Sequence, residues 1–170
     1  MAFLRNILRE RALMERVDAL VSIDSDICAP PDLARKLVAA DHPWVAALVD
    51  NSAIKDKERD QELVRMRGGE RQYTRPCFNI LNFGQDGTHR IAPDMVSGGE
   101  ADYTGATCLY SRTLLERAAW TCDKSGEDGG FSRQAQAAGY RARYLPILCD
   151  HLMTPERLAA HKENCDLCRA

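Results

Sequence analysis

Two short apolar runs, each closed by an acid, constrain this chain more than anything else in it. Ala19-Leu20-Val21-Ser22-Ile23 lies between Asp18 and Asp24, and Trp44-Val45-Ala46-Ala47-Leu48-Val49 ends at Asp50. Runs this short and this continuous read as strands, covered on both faces in a mostly parallel sheet. Ahead of the first run, residues 3–17 read as an amphipathic helix. Phe3, Leu4, Ile7, Leu8, Met14 and Val17 fall near one stripe, with Arg and Glu on the other side. Between the runs, Ala29-Pro30-Pro31-Asp32 opens a second helix whose buried side is Leu33, Leu37 and Val38. Helix, strand, helix, strand in this order argues for the α/β class.

Residues 50–76 are polar and charged and read as a long excursion from the core. Arg65, Arg67, Arg71 and Arg75 fit a solvated loop better than a phosphate contact. Residues 77–82 and 89–92 flank Gln85-Asp86-Gly87, a hairpin turn, and Ser97-Gly98-Gly99 marks a loop. Residues 111–120 and 128–138 look helical and 141–149 extended. Thr154-Pro155-Glu156 starts a last helix, with Thr as its cap.

At 170 residues, 45% hydrophobic and 28% charged, the chain has the balance of one globular domain. A net charge of -2 points to neither nucleic acid nor an anionic membrane. No stretch approaches the roughly 20 apolar residues that cross a bilayer. Arg interrupts the N-terminus too often for a secretory signal. Seven cysteines, an odd number, fit reduced thiols in the cytoplasm, or a metal site, better than a disulfide framework.

Chemistry concentrates in two places. Asp24-Ser25-Asp26 follows the first strand, and in open α/β sheets ligands bind beyond the carboxyl ends of strands. Two carboxylates one residue apart can converge on Mg²⁺ or Mn²⁺, or they can simply cap a turn. Glu127-Asp128 opens a later helix. There acids ordinarily act as caps, but one facing a cleft is a candidate general base.

Four segments in order, VDALVSIDSDICAPPDLARKLV (17–38), ADYTGATCLYSRTLLERA (101–118), SGEDGGFSRQAQAAGYRARYLP (125–146) and CDHLM (149–153), resemble the catalytic half of a GT-A-type nucleotide-sugar glycosyltransferase, close to the family 2 group. The resemblance covers residues 3–152 and implies a partial GT-A fold. It implies transfer of a sugar from a nucleotide-diphosphate-sugar to an acceptor hydroxyl. Asp24 and Asp26 would hold Mn²⁺ or Mg²⁺ on the donor diphosphate, with His151 completing the metal shell. Asp128 would be the general base, with Glu127 beside it, and Gly105 and Ala106 would form the turn against the donor sugar. The strand–helix units that bind base and ribose in such enzymes would precede Asp24, where only one helix stands. Three explanations stand for the missing half: the chain is a fragment of a longer protein, a second chain supplies that half, or catalysis has been lost. Weak or no binding of free nucleotide by this chain alone is expected.

The tail, residues 153–170, carries His161-x3-Cys165-x2-Cys168, which looks like the zinc segment of anti-sigma factors. Positions i, i+4 and i+7 share a helical face, and Zn²⁺ takes His and Cys at tetrahedral geometry. Cys149 is the candidate fourth ligand. The alternative to an enzyme is therefore a non-catalytic, zinc-associated interaction module on an α/β scaffold.

Overall fold

The computed structural model describes residues 1–49, 78–85, 87–122, 124 and 126–152. The long polar segment with its four arginines, and the tail with His161, Cys165 and Cys168, lie outside the described residues.

The elements run α1 (Ala2–Met14), β1 (Ala19–Ile23), β2 (Ile27–Cys28), α2 (Leu33–Ala39), β3 (Trp44–Val49), β4 (Ile80–Gly84), β5 (Gly87–Arg90), β6 (Gly99–Ala101), β7 (Tyr103–Thr104), β8 (Thr107–Ser111), α3 (Arg112–Arg117), α4 (Gly126–Ala137) and β9 (Ala142–His151). The main sheet has the order β1-β8-β3-β9. The far edge of β9 pairs with β6 at its start (Ala101↔Ala142) and with β2 at its end (Ile27↔His151). Strands β5-β4-β7 form a small second sheet, with the expected hairpin paired up to Gly84↔Gly87.

The α/β class holds, but the sheet is mixed rather than mostly parallel. Among the described residues, only β3 and β9 pair in parallel. Parallel neighbours need a long crossover. The crossover from β1 through α2 to β3 leaves a gap, and β8 enters it from the second sheet, antiparallel to both flanking strands.

Strand β3 is buried throughout and sorts its side chains by the alternation of a pleated strand. Trp44, Ala46 and Leu48 enter one apolar cluster, with Tyr110, Trp120 and Phe131, whose rings lie 4.3–6.5 Å from ring neighbours. Val45, Ala47 and Val49 enter the other, with Leu33, Leu37, Leu109 and Cys149. Helix α4 supports the first cluster through a close approach. A Cβ on Gly130 would stand 1.7 Å from the Thr121 carbonyl oxygen, so the helix seats only with glycine there.

Two expectations about the N-terminal layer are corrected. Strand β1 is only half-buried: Leu20 packs on one cluster and Ala19 and Val21 on the other, but it is the end strand of the sheet and Ile23 is exposed. Helix α1 turns its apolar stripe outward. Phe3, Leu4, Ile7, Leu8 and Met14 are exposed, while Arg5 and Ala12 are buried. Hydrogen bonds explain the inversion. Asn6 exchanges bonds with the backbone of Trp120, donating to its carbonyl (2.8 Å) and accepting from its N–H (2.9 Å). Arg9 Nε donates to the carbonyls of Leu115 (2.6 Å) and Ala118 (2.9 Å) at the end of α3. The polar side of α1 thus satisfies backbone groups that packing would otherwise strand. Helix α2 begins after Asp32 as expected, but Val38 is exposed and only Leu33 and Leu37 are buried.

Candidate carboxylate site at the strand tips

The turn after β1 aims the two aspartates. The N–H of Ile27 closes on the Asp24 carbonyl (3.0 Å), and the N–H of Asp24 donates to the Ala106 carbonyl (2.8 Å). The acidic pair is thereby tied to the turn between β7 and β8. In that turn Ala106 adopts a left-handed φ of 66°, which costs a non-glycine residue on the order of 1 kcal/mol. Strain held in place this way is a feature of functional sites.

The turn is fastened from below by Asn79, which is buried. Its Nδ2 donates to the carbonyls of Gly105 (2.8 Å) and Ala47 (3.1 Å), and its Oδ1 accepts from the N–H of Val49 (2.8 Å). One amide thus joins the end of β3 to the Gly105 turn. Gly105 in turn makes room for Asp128, since a Cβ at position 105 would stand 2.1 Å from Asp128 Oδ2.

Asp128 lies in the first turn of α4, with Glu127 beside it. Burial pushes its carboxyl up to about 6, against the pull of the Arg5 guanidinium. Asp24 is also raised, by burial foremost, and Arg5 again opposes the shift. Arg5 reaches both acids, with Nη2 at 2.7 Å from Asp24 Oδ1 and 3.8 Å from Asp128 Oδ1. Burial acts against the Arg5 charge, but the groups around it, Asp128 foremost, together outweigh the desolvation.

A second pairing lies alongside. His151 Nε2 stands 3.1 Å from Asp26 Oδ2, and the N–H of Leu152 donates to the Asp26 carbonyl (2.8 Å). The two pairings share one turn, since Asp24 and Asp26 both follow β1. Asp24, Asp26, Glu127, Asp128, His151 and the Gly105–Ala106 turn lie at the same end of the main sheet.

The metal geometry is less complete. Among the described residues, no group of three or more His, Cys, Asp or Glu side chains is arranged to hold a metal. The donor types suit Mn²⁺ or Mg²⁺, and Asp26 and His151 already touch, but Asp24 is engaged by Arg5. Cys149 is buried in the apolar cluster with Leu33 and Leu37, and burial raises its thiol to about 11.

Sequence reading missed Arg5. It sits on the face of α1 that the apolar stripe had assigned to solvent. The signal was the cost of the carboxylates: partly buried acids brought close together need a cation, and no Lys or Arg stands within three residues of Asp24-Ser25-Asp26.

No protein-family model matches the chain, and no curated protein matches its sequence. No helix among the described residues is long and apolar enough to cross a membrane.

Proposed function

We propose that this chain is a GT-A-type glycosyltransferase domain that takes a nucleotide-diphosphate-sugar as donor and a hydroxyl as acceptor. The observation that supports the reading is the placement of Asp24, Asp26, Asp128 and His151, from the turn after β1, from α4 and from β9, at one end of the sheet, beside a turn whose Gly105 makes room for Asp128. Chance pairs of acids in separate motifs have no reason to share a cleft.

In this reading Asp128 accepts the proton of the acceptor hydroxyl. A carboxyl near 6 is mostly ionised at neutral pH, yet basic enough to take a proton in the transition state. Arg5 keeps the carboxylate charge tolerable and holds Asp24 and Asp128 at fixed spacing. Gly105 and Ala106 let the sugar approach the backbone. Asp26 and His151, joined by Asp24, would hold a divalent cation, which when bound neutralises charge on the departing diphosphate. Base and ribose would lie towards β1.

The test combines melting and turnover. Mn²⁺ alone is expected to raise the melting temperature of the full chain, and Asp26→Ala is expected to abolish the rise. With a panel of nucleotide-sugars and Mn²⁺, slow release of nucleoside diphosphate should depend on Asp128. No Mn²⁺ effect on melting, together with no nucleoside diphosphate released, would remove the reading.

A further inference from the structure

We infer that a second copy of this chain docks at the β1 end of the main sheet, with edge strand against edge strand and α1 against α1. The inference uses only the outer faces of β1 and α1 and holds whether or not the cleft transfers sugar.

Two unpartnered features lie together there. Strand β1 pairs with β8 on one side, and among the described residues nothing pairs with its other edge. Such an edge is a template for another strand. Helix α1 packs on β1 and is clasped to α3 and Trp120 by its inner face. Its outer face therefore turns away from the molecule at the same end of the sheet. That face carries Phe3 (75% exposed), Leu4 (58%), Ile7 (46%), Leu8 (52%) and Met14 (72%). Together these expose on the order of 500 Å² of apolar side chain, near the top of the range for a monomer's largest patch. It also amounts to most of the roughly 800 Å² that each partner gives to a standard interface.

A copy of the same chain fits both features in one operation. A two-fold axis normal to the sheet pairs β1 with its own copy in antiparallel sense and continues the sheet. The same axis brings both α1 helices side by side on one face of that sheet. Charge does not oppose the contact. The outer face carries no excess of one sign near its centre, where Arg11 and Glu15 already pair at 2.5 Å.

Sedimentation velocity of the full chain between about 1 and about 100 µM tests this. The expected result is a species of two chains that grows with concentration. The double variant Leu4→Glu/Ile7→Glu should sediment as one chain throughout, with an unchanged far-UV spectrum, because both side chains are exposed in the single chain. Amide exchange at residues 19–23 should be slow at high concentration, and should speed up on dilution and in the variant. A single-chain species at every concentration would overturn the inference. So would a two-chain species that survives the double substitution while the β1 amides exchange fast. Either failure leaves the Mn²⁺ and turnover test of the cleft standing on its own.

Discussion

Strands β1 and β3 look alike in sequence and are held in place by different forces. Both are short apolar runs that lead to an acid, and both point the same way in the main sheet, on either side of β8. Strand β3 is fully buried, fed by two apolar clusters, and its far end is clamped by Asn79. Strand β1 is an end strand, half-buried, and its far end is held by charge through Arg5 and Asp24. An apolar run therefore specifies a strand. Whether that strand lies in the middle or at the rim depends on what flanks it, and here the flanks were set far away in sequence.

The contrast is most open to attack at Arg5. Replacing it with Met leaves Asp24 and Asp128 sharing a partly buried cleft without their cation. The expected loss is about 3–5 kcal/mol in urea unfolding, the usual cost of breaking one side of a buried pair. A loss under about 1 kcal/mol would mean that the charge contact does not hold the β1 end. Packing gives the next largest effect. Leu48→Ala in β3 should cost about 3 kcal/mol, and Leu20→Ala in β1 only about 1 kcal/mol, because its site is half open. Equal losses would erase the distinction between the strands.

A third effect, smaller than those at Arg5 and Leu48, sharpens the comparison by pH. Folding lifts the Asp128 carboxyl from the ordinary 3.8 to about 6, so the folded state favours the protonated form. Its contribution is fully present below about pH 4 and is lost as pH rises through 6. Asp128→Asn has no such charge, and should be more stable than the parent by about 2 kcal/mol at pH 7.5 and equal to it near pH 4. The difference in unfolding free energy across that range is the measurement. Changes in β3 such as Leu48→Ala should show no comparable dependence on pH.

Much of the fold was legible because it rests on local pattern. The two apolar runs, the α2 start at Asp32, the hairpin about Gln85-Asp86-Gly87 and the long strand after Tyr140 all announce themselves within a few residues. Strand β8 passed unread, although Thr107, Leu109 and Tyr110 are strand-forming residues, because its motif drew attention to the turn before it. Strands β6 and β7 are too short to carry a period. Of the candidate site, the acids and His151 were legible as residue types at strand and helix ends. Arg5 was not, since it lies on a helix whose apolar stripe pointed the wrong way. Amphipathicity predicts orientation when burial of apolar area dominates. In α1 the backbone groups of α3 and Trp120 and the carboxylates at the strand tips dominate, and the helix turns over to serve them.

Arg5 also imposes an order of assembly. The guanidinium that balances Asp24 and Asp128 arrives with the first turns of the chain, whereas Asp128 is synthesised late. A nascent polypeptide leaving the ribosome must keep that opening helix unspent, its greasy side bare, until the acid at the start of α4 emerges.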